Sequence, residues 1–378
     1  MPVEAAAPAI EASGLTKAYN GATVLDIEHL EVARGEILAV LGPSGAGKSV
    51  LLRLLNLLEP STRGTIRFNG VEVQGIDGRK RVEVSRRMAM VFQDPLLFRG
   101  SVADNVAYGL KVRGVSPDER YACVNEMLKV VGLERLERAR VRALSGGEAR
   151  RVAFARALVI KPEVLLFDEP FASLDPPTRR LLQEETRVML KERALSAVFV
   201  THDQEEAARM GDRMLVLNGG SVAQVGSARD IFYKPASEFV ARFVGVDNIF
   251  SGEVVRCEGG LAQVSVDGSV LEAMTECVSG EQVKLGVRPE DVTVLSASGL
   301  ETPASSRNAF VGNVTDVEMR GPLARVTLAC PFPLVAHVTR RSTEEMGITP
   351  GAEFGARFKA TAVVVWPRAA VDGEVDGA

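Results

Sequence analysis

The sequence predicts an α/β fold: a domain built on a parallel sheet and interrupted by a helical insertion, followed by an all-β region of two small barrels. The first observation behind this is Gly42-Pro43-Ser44-Gly45-Ala46-Gly47-Lys48-Ser49, set between the apolar run Ile37 to Leu41 and the leucine-rich run Val50 to Leu58, the order strand, phosphate loop, helix. The second is a pair of apolar runs, Val164 to Phe167 and Ala197 to Thr201, that end in Asp168-Glu169 and His202-Asp203. Unbroken apolar runs are strands covered on both faces, and ligands gather at their carboxyl ends. The third is an internal repeat in the valine- and glycine-rich last third. Asn248-Ile249-Phe250-Ser251-Gly252-Glu253-Val254 is echoed by Asn308-Ala309-Phe310-Val311-Gly312-Asn313-Val314, and Gly280 to Leu285 by Gly351 to Ala356, which suggests two similar β modules.

A chain of 378 residues, 46% of them hydrophobic, has room for two or three domains and is ordinary for a core-forming protein. The formal charge of −4 is spread along the chain without a basic block, so no nucleic-acid partner is expected. No apolar stretch is long enough to cross a bilayer, and Glu4 and Glu11 precede any Lys or Arg, unlike a secretory signal; a cytosolic chain is expected. Cys123, Cys257, Cys277 and Cys330 lack paired spacing and are expected to be reduced packing thiols.

In chain order, residues 1–9 read as a flexible leader. Ile10 to Tyr19 alternates as a strand, and Leu25 to Val32 as another. The Tyr19 ring, one strand ahead of the phosphate loop, either stacks on a purine base or is a half-buried strand tyrosine; His29 is expected to be solvated and without a partner. In the loop, the glycines let backbone N–H groups cup phosphates, Lys48 reaches the β and γ phosphates, and the Ser49 hydroxyl coordinates magnesium, so the chain binds ATP or GTP. Pro60 ends the following helix at Glu59. Thr65 to Phe68 and Val71 to Val73 flank the hairpin signal Asn69-Gly70. Met88 to Phe92 is a buried strand that ends in Gln93-Asp94-Pro95, a polar exit where a long amide has the reach to face a ligand, although a Gln at a strand end carries no meaning by itself.

From Val102 to about Arg142 the pattern is helical: Asp104 to Leu110, Pro117 to Val131, and Leu133 to Ala139. Leu144-Ser145-Gly146-Gly147-Glu148 then opens a helix over Ala149 to Val159. Ser145 with Glu148 forms a capping box, and the glycine-lined start exposes N–H groups to a phosphate. Of the paired acids, Asp168 can hold the water shell of Mg²⁺ and Glu169 can orient, or take a proton from, the water attacking the γ-phosphate. Asp175 before Pro176 is an N-cap for a helix over Thr178 to Glu192. The position of His202 at a strand's carboxyl end points to phosphate contact.

The phosphate loop, Gln93, Leu144 to Glu148, Asp168-Glu169, Ser173 to Asp175 and His202 occur in the order found in ATP-binding-cassette (ABC) ATPases, which residues 10–240 resemble, with a helical subdomain over about 94–160. The resemblance implies ATP and Mg²⁺ as cofactors and a head-to-tail dimer with a second copy of the chain. Ser145, Gly146 and Gly147 of one copy would complete the site built by Lys48, Ser49, Gln93 and Glu169 of the other. It implies catalytic roles for Glu169, His202 and Gln93, Mg²⁺ held by Ser49, Gln93 and Asp168 partly through water, and nucleotide contacts from Tyr19, Gly42 to Ser49, Asp168 and Asp175. One departure is that the family often has Gln in the fifth signature place and again two residues later, where this chain has Glu148 and Arg150; the cap tolerates Glu or Gln.

Residues 241–247 read as a connector, 248–370 as the barrel domain and 371–378 as a flexible tail. The tail domain, with Gly286-Val287-Arg288-Pro289-Glu290-Asp291, resembles the oligomer-binding (TOBE) barrels appended to importer ATPases. Ser306-Arg307-Asn308, Val338 to Ser342 and Phe358 to Val363 resemble molybdate-binding barrel modules, which makes Arg307, Ser342, Lys359 and Thr361 oxyanion candidates. Met90 to Phe98 and Asn105 to Leu110 resemble ATPase subunits of tungstate or molybdate importers, with Phe98 and Tyr108 as candidate contacts to a membrane subunit. The expectation is a peripheral ATPase at the cytoplasmic face of the cell membrane. Its partners are two membrane-spanning permease subunits and, through them, an extracytoplasmic substrate-binding protein. The expected cargo is tungstate or molybdate, with sulfate, ferric iron or another small solute as alternatives. A non-transport ABC ATPase is the rival class, and it would carry a long coiled-coil insertion or two cassettes.

Overall fold

Five apolar runs that lack alternation can be buried on both faces only as parallel strands between helices. In the computed structural model, which describes residues 7–172, 174–301 and 304–367, they form one sheet. Its order is Ser221–Gly226, Arg213–Asn218, Ile37–Leu41, Ser196–Val200, Val164–Asp168 and Met88–Val91, all parallel except the antiparallel edge strand Ser221–Gly226. The register pairs Val40 with Val200 and Asp168 with Val200. The phosphate loop, Asp168 and His202 therefore leave the same edge, and Gln93 follows two residues after Val91, which pairs with Phe167.

A four-stranded antiparallel sheet of Ala22–Val32, Ile10–Tyr19, Arg63–Phe68 and Val71–Glu72 lies in the same unit. Two of its turns carry left-handed Asn-Gly pairs, Asn20-Gly21 and Asn69-Gly70, the backbone twist that matches a tight hairpin. The apolar faces of both sheets share a core that includes Ile10, Leu38, Val40, Leu51, Val164, Leu166 and Val198.

The helical insertion departs from expectation in one place. Val102–Val112 and Pro117–Val130 form as helices, capped by Ser101 and Ser116. The helix expected over Leu133 to Ala139 is only a 3₁₀ turn, Glu134–Leu136. The carbonyls of Glu137 and Ala139 instead accept from the N–H groups of Ala103 and Val102 at 3.0 Å, and so complete the start of another helix. Gly78–Ser85, capped by Asp77, is a helix the sequence did not announce. Its apolar residues are too few to mark a period.

The chain divides into two units at Ala228/Arg229. The second unit holds two five-stranded antiparallel sheets. One runs Ser269–Met274, Leu261–Val266, Asn248–Glu258, Gln282–Val287, Val364–Pro367; the other runs Thr293–Ser296, Glu353–Phe358, Asn308–Arg320, Leu323–Ala329, Pro333–Thr339. The repeat is visible bond by bond: Gly280 N–H donates to Val254 O and Gly351 N–H to Val314 O, each at 2.7 Å. The two modules are interlocked, because the last strand of each half, Thr293–Ser296 or Val364–Pro367, pairs in the other half's sheet. One apolar core serves both. Two buried asparagines in repeat positions tie one half to the other. Asn308 Nδ2 donates to Glu272 O at 2.9 Å and its Oδ1 accepts from Glu272 N at 2.7 Å, while Asn248 does the same with Val335 at 2.9 and 2.6 Å.

Candidate active site

The strand Ile37–Leu41 is wholly buried and turns at Gly42, whose φ is +151° and whose absent Cβ would lie 2.5 Å from Leu217 O. No other residue fits this turn. The helix Lys48–Leu55 starts from Gly47 without a side-chain cap, which leaves its first N–H groups for a ligand. Lys48 is buried and its Nζ donates to Gly42 O at 2.7 Å and Pro43 O at 2.9 Å. Burial lowers the pKa of this ammonium, opposed by Glu169 and Asp168. Ser49 Oγ donates to Asp168 Oδ1 at 3.2 Å, and burial raises the Asp168 carboxyl. Oxygen donors beside a phosphate cradle fit a hard divalent cation such as Mg²⁺.

Glu169 sits at φ +45°, a conformation that side chains rarely adopt and that is held by its surroundings. Its N–H donates to Val200 O at 3.0 Å, and its Oε2 lies 2.9 Å from His202 Nδ1. The carboxylate is thus aimed along the sheet edge and its partner imidazole is largely exposed. Gln93 is exposed beyond the strand Met88–Val91. After it, Arg156 donates to Pro95 O and Leu96 O, both at 2.9 Å, and covers the Phe98 ring. Phe98 and Tyr108 meet with ring centres 4.5 Å apart at a 40° tilt and are about half exposed. Buried Asn105, not singled out in the sequence, holds the Phe98 backbone through both its amide atoms.

The helix Gly146–Leu158 starts as its residues require: Ser145 Oγ accepts from Glu148 N at 3.3 Å, and Glu148 Oε2 accepts from Ser145 N at 2.7 Å. Hydrogen bonds from Ser145 hold the Glu148 carboxyl below its ordinary pKa. Open space surrounds the Gly146 position. Among the described residues no hydrogen bond joins Ser145, Gly146 or Gly147 to the group of Lys48, Ser49, Asp168, Glu169 and His202, which the structure does bring together. Asp175 caps Pro176–Glu192 by accepting from Thr178 N at 3.1 Å; Ser173 lies outside the described residues. Tyr19 is part-exposed, and its hydroxyl is tied to the Glu59 carboxylate.

In the tail, Asn308 pairs with Phe358, so Arg307 and Lys359 follow as opposite neighbours at one end of the ladder, both exposed. Thr361 lies in the adjoining 3₁₀ turn Ala360–Ala362. Ser342 lies elsewhere, in the first turn of Arg340–Met346, where its N–H donates to Thr339 Oγ1 at 3.1 Å. That helix follows the strand end Thr339, which pairs with Leu323 and so belongs to the opposite end of the same sheet. Two of the repeat counterparts differ in charge: Asp247 stands where Arg307 does and meets Arg325 at 3.4 Å, and Glu290 stands where Thr361 does and meets Arg288, the counterpart of Lys359, at 2.9 Å.

Behind the catalytic edge stand residues the sequence reading missed. Glu206 is buried and accepts from Gln183 Nε2 at 2.8 Å and from the Thr201 hydroxyl. Arg179 joins Asp203 at 3.5 Å and Leu174 O at 3.1 Å. These groups come together from separate helices and strands, and no local spacing marks them.

Comparison with known proteins follows the same two regions. The ABC transporter family pattern matches residues 25–172 and the TOBE domain pattern residues 304–365. The chain is 40% identical over 365 residues to the molybdate/tungstate import ATP-binding protein WtpC of Pyrococcus abyssi, covering 94% of this chain and all of that protein. It is 37% identical over 318 residues to the spermidine/putrescine import ATP-binding protein PotA of Pasteurella multocida, covering 83% of this chain and 84% of that one. Among solved structures, cbiO1 of Clostridium perfringens, part of the ABC transporter complex cbiONQ, aligns with TM-score 0.57 and 30% identity over 60% of this chain and 92% of its own.

Proposed function

The chain belongs to the ATP-binding subunits of ABC import systems, and from that premise we propose how its residues hydrolyse ATP and what the resulting motor moves. It is an ATPase coupled to transport and works with membrane permease subunits, to which it is peripheral. We place it at the cytoplasmic face, where ATP is available, with two permease subunits and an extracytoplasmic substrate-binding protein reached through them.

In the proposed cycle, Lys48 exchanges the carbonyls of Gly42 and Pro43 for the β and γ phosphates, whose charge offsets the cost of burying its ammonium. The uncapped N–H groups of Lys48–Leu55 receive the phosphates. Mg²⁺, when bound, supplies charge neutralisation at the β and γ oxygens, and Ser49, Asp168 and Gln93 would hold it, partly through water. Glu169 orients the attacking water and takes its proton, and His202, already hydrogen-bonded to it, keeps the carboxylate aimed and steadies the γ-phosphate. Tyr19 and Asp175 add nucleotide contacts. Ser145, Gly146 and Gly147 serve the site of a second copy. The observation that carries this reading is the gathering of Lys48, Ser49, Asp168, Glu169 and His202 at one sheet edge, while the exposed helix tip at Ser145 makes no hydrogen bond to that group among the described residues.

For the cargo we favour tungstate or molybdate. What supports it is similarity to a WtpC protein along nearly the full length of both chains, together with the corner of Arg307, Lys359 and Thr361, which suits an oxyanion. The PotA relative supports another small solute as the second reading. Reconstitution of the whole transporter with its substrate-binding protein decides between them. Tungstate- or molybdate-dependent uptake with matching stimulation of ATP hydrolysis is expected, and stimulation by a polyamine but by neither oxyanion would overturn the choice.

A further inference from the structure

The place where this sequence departs from the ABC pattern, Arg150, is also a junction. It lies one turn into the helix Gly146–Leu158 and is 8% exposed. Its Nη2 donates to Ala172 O, in the loop that follows Glu169, and its Nε is buried with no partner among the described residues. Asp94, next to Gln93, attracts the guanidinium, and Arg179 repels it. Arg179 grips the same loop from the other flank, at Leu174 O, and reaches Asp203 beside His202. Farther along the helix, Arg156 donates to the carbonyls of Pro95 and Leu96.

A buried cation is costly once its partner leaves. If the Ala172 loop moved while the helix stayed, Arg150 would keep its charge and lose its acceptor; if the helix moved alone, the outcome would be the same. The glutamine usual at this place carries no charge, so its loss of a partner costs less. The helix tip and the loop after Glu169 are thereby constrained to move as one.

We propose that Arg150 is a positioning residue that ties the Ser145–Gly147 helix tip to the loop after Glu169, so that filling one ATP site of the dimer sets the geometry of the other. The tip would meet the partner copy's nucleotide, and the loop belongs to the chain's own site. The proposal therefore rests on the dimer reading given above.

The test uses the full chain. Hydrolysis rate is measured against ATP concentration for the parent, Arg150→Gln and Arg150→Lys, alongside nucleotide affinity, thermal unfolding and the mass of the parent in Mg·ATP under non-hydrolysing conditions. A dimeric parent with a Hill coefficient above one is expected. Arg150→Gln should lower that coefficient toward one and lower kcat about five-fold, the low end of site-to-site coupling, with ATP affinity and unfolding temperature kept; Arg150→Lys should recover part of both. A glutamine variant with the parent's coefficient and kcat overturns the proposal, as does one whose only change is in affinity or unfolding temperature. A parent that stays monomeric overturns the proposal and the dimer reading together, whereas a dimeric parent with an unaltered variant overturns the proposal alone. Should Arg150→Gln fail to fold, Asp94→Asn removes the opposing charge from the exposed side. A lowered coefficient is expected there too, and an unchanged one contradicts the proposal.

Discussion

Gly42→Ala tests whether the phosphate loop is shaped by close packing or merely by flexible residues. The added Cβ would stand 2.5 Å from Leu217 O, 3.3 Å from Leu217 C and 3.2 Å from the Ala46 Cβ. To regain an ordinary 3.4 Å contact with the carbonyl, the loop or the strand must yield by close to 0.9 Å. Neither moves freely: Leu217 lies on Arg213–Asn218, which is hydrogen-bonded beside the buried strand Ile37–Leu41. The rare φ costs about 1–3 kcal/mol for a residue with a side chain, and forced overpacking adds about as much again. If half of a total near 4 kcal/mol is relieved by displacing the loop, phosphate binding loses about 2 kcal/mol, or roughly thirty-fold in affinity. Titration calorimetry with Mg·ATP measures it, and Gly45→Ala is the control. Gly45 also has a positive φ, +80°, but open space where its Cβ would go, so only the backbone cost of about 1 kcal/mol applies. Equal effects of the two substitutions, or Gly42→Ala binding within two-fold of the parent, would refute the packing argument.

Two other predictions concern buried polar groups. Asn308→Ala leaves the half-buried N–H and C=O of Glu272, on an edge strand, unpaired. At about 1–3 kcal/mol for each orphaned group, the second unit should lose about 2–6 kcal/mol, seen as a drop in its calorimetric Tm; an unchanged Tm would show that the asparagine staple contributes nothing. Glu206 has its pKa raised by burial, against the hydrogen bonds from Thr201 and Gln183. A carboxyl whose folded pKa lies above its unfolded value of about 4.3 contributes stability below that value and loses it as pH rises through the folded pKa. Thermal unfolding from pH 4 to 8 should therefore show the parent falling relative to Glu206→Gln as pH rises, and parallel curves would contradict the burial argument.

What the sequence disclosed and what it hid have a common physical basis. The phosphate loop, the Ser145–Glu148 cap, Asp175-Pro176 and the Asn69-Gly70 turn were legible because each is satisfied by neighbours a few residues away. The helices Gly78–Ser85 and Arg340–Met346 were hidden because they are short and mostly polar, with caps from Asp77 and Thr339 as their main local signal. His29, expected to stand alone, has Glu31 at 3.9 Å two residues along the same strand, both side chains exposed. The cysteines are unpaired, as expected. Yet Cys257 and Cys277, twenty residues apart in sequence, are neighbours, and burial followed by the Cys257 contact pushes the Cys277 thiol up to about 11. The exchange of last strands in the tail was not readable either, because alternation fixes which face a strand buries and not which sheet it joins. The same holds for the site: Lys48, Asp168, Glu169 and His202 stand in local motifs and Arg150 stood out only as a departure from one, whereas the contacts of Arg150, Arg179 and Glu206 are made only by folding.

The proposed motor works only if the helix tip at Ser145 serves a nucleotide held by another copy. Glu169→Gln keeps the shape of the side chain and removes the proton acceptor, so hydrolysis should fall at least a hundredfold while ATP stays bound. Light scattering on the full chain bearing this substitution is the direct measurement. A species of twice the monomer mass should appear with Mg·ATP and be absent without it. A chain that binds Mg·ATP yet remains monomeric, alone and with its permease partners, would contradict the account.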